Sequence, residues 1–110
     1  MKTRKKKDLE RGGWKIGTVQ ELLGLTDEEA AYVELKLALS RALRKRRKKH
    51  NLTQVQLAKR IGSSQSRVAK MEAGDPSVSI DLLIRSLIAL GATPGSLARS
   101  ITSAKQRPAT

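Results

Sequence analysis

Residues 52–74 of this 110-residue chain read LTQVQLAKRIGSSQSRVAKMEAG, and their spacing predicts two short helices joined by a glycine turn. Thr53 suits an N-cap, because its hydroxyl can accept a hydrogen bond from an unpaired amide of the first turn. Gln56, three residues on, has the spacing to return that bond in a capping box. Leu57, Ala58 and Ile61 then form an apolar stripe that stops at Gly62, and Ser64 starts a second helix. On a helical wheel Val68 and Met71 share a face with Ser64, while Ser66, Ala69 and Lys70 point away, flanked by Gln65 and Arg67. A helix needed only for packing does not require that outward polar set.

The sequence on either side reads as further helix. Residues 1–17, MKTRKKKDLERGGWKIG, read as a basic flexible arm, since like charges repel and Gly12 and Gly13 weaken any helix. Thr18 and Glu21 have capping-box spacing ahead of a short VQELL helix that Gly24 can stop. Thr26 and Glu29 repeat that spacing, and Asp27 and Glu28 suit the positive end of a helix dipole, so a long helix is predicted to run to Lys49 and close at a left-handed Asn51. Its core face is Ala31, Leu35, Ala38, Leu39, Ala42 and Leu43; Val33 and Leu37 form a second stripe that either packs within the chain or meets a second subunit. Beyond Gly74, Pro76 breaks the chain and Ser79 caps a helix carried by Ile80, Leu83, Ile84, Leu87 and Ile88 as far as Leu90, with Gly91 as its stop. Thr93 and Pro94 begin a last helix with Leu97 and Ile101 on its apolar edge, and residues 102–110 read as a frayed, flexible tail. The organisation expected is an arm at 1–17, one domain at 18–101 and a tail at 102–110.

Composition sets the class of partner. A net charge of +13 produces a field that attracts phosphate polyanions whatever the fold. There is no cysteine and a single histidine, so disulfides and thiolate metal sites are excluded, and no cofactor or metal is expected. Paired carboxylates and nucleophile–base sets are lacking at useful spacing, which argues against an enzyme. His50 reads as a turn residue, and no Walker lysine follows the Gly62 turn, so no nucleotide site is expected. The basic N-terminus lacks an apolar h-region and no segment is long enough to span a bilayer; a soluble cytoplasmic protein without a membrane partner is expected.

Residues 52–74 resemble the Xre family, the lambdoid-repressor and Cro type of helix-turn-helix, whose pattern is close to LTQxxLAxxxGxSxxxVxxxExG. The matches are Leu52, Thr53, Gln54, Leu57, Ala58, Gly62, Ser64, Val68, Glu72 and Gly74. The similarity continues through SVSIDLLIRSLIALG, which looks like the family's next helix, and covers residues 40–101. The resemblance implies an all-α compact bundle of about five or six helices with a lambda-repressor-like helix-turn-helix. It also implies a transcription regulator that binds double-stranded DNA, as a homodimer on a palindromic operator.

By the same resemblance, Gln65, Ser66, Arg67 and Lys70 meet base edges in the major groove. Gln can pair bidentately with adenine and Arg or Lys with guanine, while the Ala69 methyl can rest on a thymine methyl. Gln54 falls where the family places a phosphate contact that fixes register, with Thr53 and Ser64 at the neighbouring helix starts. The run RALRKRRKK at 41–49 holds seven Lys or Arg; a solvated helix end explains several of them, and some, Arg44 among them, are expected on phosphate. Arg47 stands where many relatives pair an Arg with the counterpart of Glu72, a structural ion pair whose loss would cost more than a surface pair if it is partly buried. The arm residues Lys2, Arg4, Lys5, Lys6, Lys7 and Arg11 either bind phosphate or form a solubility tail, and Trp14 and Tyr32 read as anchors for the N-terminal segment.

The segment VQELLGLTDEEAAYVELKLAL and the small size are similar to antitoxins of the HigA type, which implies a toxin protein partner and repression of the protein's own operon. A stand-alone Xre regulator without a toxin remains open. An RNA-binding or coactivator-type interaction protein belongs to a different class; one Trp, one Tyr and no Phe leave it without the stacking surface of most RNA modules.

Overall fold

In the computed structural model of the chain, residues 21–106 are described, and all their regular structure is helical. Residues 21–23 are helical, and after them come α1 (Asp27–Lys49), α2 (Gln54–Ile61), α3 (Gln65–Ala73), α4 (Ile80–Ala89) and α5 (Pro94–Gln106). The expectations for the basic arm, for Trp14 and for the Thr18 cap lie outside the described residues. The chain divides into two compact units, and the division falls within α1, between Leu35 and Lys36.

In the first unit, the start of α1 is closed reciprocally. The Thr26 amide donates to Glu29 Oε1 at 2.8 Å and the Glu29 amide donates to Thr26 Oγ1 at 3.1 Å. Asp27, Glu28 and Glu29 occupy the first turn, where the helix dipole favours negative charge. The covered face differs from the expected one: Ala31 is exposed while Ala30 is buried and Val33 half-buried. One residue along a helix is a rotation of about 100°, so the covered side in this segment is that of the Val33 stripe. Tyr32, expected to anchor the N-terminal segment, is exposed.

In the second unit, Ala38, Leu39 and Leu43 of α1 are buried, as are Leu57 and Ala58 of α2, Val68 and Met71 of α3, and Leu83 and Leu87 of α4. Each fully buried Leu stabilises the fold by about 1.5–3 kcal/mol through apolar area removed from water. α2 packs against both α3 and α4. Leu37 is half-buried and its Cδ2 lies 2.6 Å from where a Cβ would stand on Gly74, so this member of the second stripe packs within the chain against the end of α3.

Helix ends repeat one device. After α1, the Leu52 amide donates to Arg47 O at 3.1 Å and the Asn51 amide to Lys48 O at 3.0 Å, with Asn51 left-handed at φ 58°. The same crossed pair of bonds closes α2 around Gly62, α3 around Gly74 and α4 around Gly91, pairing carbonyls that would otherwise be left over.

Two expectations are corrected at the C-terminal end. Ile88 is 54% exposed, and the inner face of α4 holds Ser86 beside Leu83, Leu87 and Leu90. Ser86 is tolerated inside because its hydroxyl donates to Leu82 O at 2.8 Å, within its own helix. α5 also runs on past Ile101 to Gln106, from a start where Thr93 and Ser96 exchange bonds of 2.8 and 3.1 Å. Leu97 and Ile101 are half-buried. Among the described residues no helix is long and apolar enough to cross a membrane.

Candidate nucleic-acid interface

The two helices of the turn start alike. Thr53 Oγ1 accepts from the Gln56 amide at 3.1 Å, and Gln56 Oε1 accepts from the Thr53 amide at 2.8 Å. Ser64 Oγ accepts from the Arg67 amide at 3.1 Å. Each cap is followed by a glutamine, Gln54 in α2 and Gln65 in α3, and Gly62 at φ 68° reverses the chain between the helices. With Val68 and Met71 both 0% exposed, the rotation of α3 is fixed. The opposite side therefore presents Gln65, Ser66, Arg67 and Lys70, all four exposed, with Ala69 half-buried between them. Thr53 and Ser64 are exposed at the helix starts, Gln54 is half-buried, and Arg44 is exposed on α1.

Behind this surface runs a connected set of polar groups. The Arg47 guanidinium, in a residue only 9% exposed, donates through Nε to Glu72 Oε2 and through Nη2 to Glu72 Oε1 at 3.0 Å. Its Nη1 donates to Leu52 O at 2.7 Å, tying the end of α1 to the residue before the Thr53 cap. The bond to Glu72 raises the pKa of Arg47 above its ordinary value, burial opposes the shift, and the charge of Glu72 adds to it. Glu72 Oε1 also accepts from Gln54 Nε2 at 3.2 Å, and Gln54 Oε1 accepts from Gln65 Nε2 at 2.7 Å. The structure thus joins Arg47, Glu72, Gln54 and Gln65 in one line from α1 to the outer edge of α3. The Gln54 and Gln65 links were missed in the sequence, although a glutamine directly after each cap was the available signal.

A second missed element is the loop after α3. Ser66, Arg67 and Lys70 line a cleft of about 390 Å³ together with Ser77, Ser79 and Leu82. Asp75 shapes this loop: its Oδ1 accepts from the Ser77 hydroxyl at 2.6 Å and the Ser77 amide at 2.8 Å. These bonds hold the Asp75 carboxyl below its usual pKa, the hydroxyl first and then the amide, with desolvation opposing and the charges of Lys70 and Lys36 adding smaller effects. From inside, Lys36 Nζ donates to Pro76 O at 2.9 Å. The cleft joins cationic side chains to hydroxyl donors, a chemistry suited to phosphate oxygens.

A family model described as Helix-turn-helix matches residues 43–97, from within α1 to the first turns of α5. No curated protein matched, and no solved structure matched. Because the matched span takes in both capped helices, the turn between them and the helix that follows, the chain belongs to the helix-turn-helix family, in its Xre-like Cro/C1 branch, and is a DNA-binding transcription regulator of a family that is not one of enzymes.

Proposed function

We propose that the protein is a sequence-specific cytoplasmic repressor that reads its operator through the outer face of α3. The observation that carries this reading is the pairing of a fully buried face, Val68 and Met71, with a fully exposed one, Gln65, Ser66, Arg67 and Lys70. In this reading those four residues meet base edges, while Thr53, Gln54, Ser64 and Arg44 hold the phosphate backbone. The Thr53 and Ser64 oxygens accept within their caps and keep a hydroxyl hydrogen for a phosphate, and the cleft beside Arg67 and Lys70 offers Ser79, whose oxygen accepts from the Leu82 amide, in the same way. One such unit reads few base pairs, so the proposal includes a homodimer on a palindrome whose half-sites lie about one helical turn apart.

The finer role proposed is that of an antitoxin repressing its own operon. It is supported by the similarity of VQELLGLTDEEAAYVELKLAL to HigA-type antitoxins. An adjacent gene whose product arrests growth alone, and not with this protein, supports it; its absence leaves a stand-alone regulator.

The test of base reading is fluorescence anisotropy with DNA from upstream of the protein's own gene against a shuffled duplex. Gln65→Ala is expected to weaken the preferred duplex by about 1–3 kcal/mol and the shuffled duplex hardly at all. Equal losses on both would remove Gln65 from base reading.

A further inference from the structure

A helical lysine ordinarily keeps its ammonium in water. Lys36 is only 8% exposed, and its Nζ donates to Pro76 O at 2.9 Å, 40 residues further along the chain. Both residues belong to the second unit. Residues 75–78 form a turn that the Val78 amide closes by donating to Asp75 O at 3.1 Å, with proline in the second place, where its fixed φ fits. On the exposed side Asp75 Oδ1 accepts from the amide and the hydroxyl of Ser77. These three bonds leave Pro76 O to be met from outside the turn, and Lys36 meets it from the interior. Val78, 5% exposed, roots the same turn in the core.

The residue after this braced turn is Ser79, the cap of α4 and a member of the cleft that holds Arg67 and Lys70. Ser79 Oγ accepts from the Leu82 amide at 3.1 Å, which leaves its hydroxyl hydrogen for an anion. Asp81, the acid in the first turn of α4, is paired with Arg85, Oδ2 lying 3.1 Å from Nε. A hydroxyl serves a phosphate only when it is held in place, because hydrogen bonds weaken steeply with angle. Lys36 precedes residues 43–97, the span of the helix-turn-helix match, so the brace reaches this cleft from outside the matched domain.

We propose that Lys36 is a positioning residue for a DNA phosphate: by holding Pro76 O from inside, it fixes the turn so that the Ser79 hydroxyl meets a backbone phosphate at the cleft beside Arg67 and Lys70. Lys36 itself does not touch DNA. This rests on the phosphate contact proposed for Ser79.

The experiment uses the full chain and a duplex that it selects from a random-sequence pool, with one backbone phosphate at a time replaced by an uncharged methylphosphonate. Ser79→Gly, which keeps most of the capping stability, first identifies the phosphate that Ser79 meets. Replacing that phosphate should weaken the parent chain by roughly tenfold and the variant by much less. Lys36→Met keeps the length of the side chain but not its donor. It should lower the sensitivity at that same phosphate, leave the other phosphates as they were, and add nothing to Ser79→Gly. The salt slope of binding should stay that of the parent, since Lys36 neutralises no phosphate. Lys36→Gln, one bond shorter, is the second variant if Lys36→Met does not fold, and should act alike. A loss spread evenly over all phosphates, or an unchanged sensitivity at the one that Ser79 meets, would overturn the proposal and leave Lys36 as a strut of the fold alone. So would a salt slope lower by about 0.9, the mark of a direct phosphate contact. If Ser79→Gly changes the sensitivity at no phosphate, the contact proposed for Ser79 fails first, and the role of Lys36 with it.

Discussion

α2 and α3 are near copies in outline that differ at both ends. Each has a hydroxyl cap, a glutamine after it and a left-handed glycine at the close. In α2 the third helical residue, Gln56, folds back and pairs the amide of its own cap. In α3 that position is Arg67, which has no acceptor to return a bond and stays exposed. At the other end the order reverses. Nothing lies within 4 Å of a Cβ on Gly62, whereas one on Gly74 would meet Leu37 at 2.6 Å. α2 is sealed at its start and open at its end; α3 is held at its end and left unsealed at its start, where the proposed base contacts lie. A reading helix is thus anchored from behind, so that its first turn can keep side chains for a partner.

Changing the closing glycines gives the largest test of this contrast. At φ 68° and 75° any Cβ is strained by about 1 kcal/mol, so Gly62→Ala should lose about that much stability. Gly74→Ala should lose about 2 kcal/mol, because Leu37 must also turn its methyl aside. Urea titration of the two variants measures the gap; equal losses would mean that α3 is not held more firmly than α2. A smaller effect is expected at the other end. Arg67→Gln gives α3 the sealed start of α2 and should stabilise the protein by about 0.5 kcal/mol while weakening DNA binding. A variant that gained stability and bound DNA as before would show that the unsealed start serves no partner. The smallest effect concerns the loop beyond α3. Because the folded-state pKa of Asp75 is depressed, its contribution is present above the ordinary aspartate value of about 3.9 and is lost as pH falls through the lower folded value. Melting curves between about pH 5 and 2 should show a shallower acid decline for Asp75→Asn than for the parent chain.

The caps and stops were legible because they are local. Thr53 with Gln56, Ser64, Gly62, Gly74 and Asn51 act on amides and carbonyls within a few residues, so spacing alone reveals them. The buried face of α3 was legible for the same reason, since Val68 and Met71 are one turn apart. What spacing did not reveal depends on neighbours distant in sequence. Ser86 rather than Ile88 faces inward on α4, and Ala30 rather than Ala31 is covered on α1, because each helix is rotated by what packs on it. Among the described residues the Ser40 hydroxyl is buried with no hydrogen-bond partner, and nothing local to α1 foretells that. At the interface, the outward set on α3 was readable from the wheel. The line through Gln54 was not, because it joins residues 11 and 18 apart in the chain that only the fold brings together.

Seven Lys or Arg lie between 41 and 49, and in the sequence they form a single block of charge. In the fold, Arg47 is turned onto Glu72 and Leu52, and Arg46 Nη1 reaches Leu90 O at 3.4 Å. Lys36, further up the same helix, holds Pro76. These cations work as struts between α1 and the loops that follow α1, α3 and α4. The salt slope of binding, about 0.9 per phosphate neutralised, counts only cations that displace condensed ions from the polyanion. Formal charge therefore overstates the ionic stoichiometry of this protein, because part of its positive charge is already committed to its own carbonyl and carboxylate oxygens.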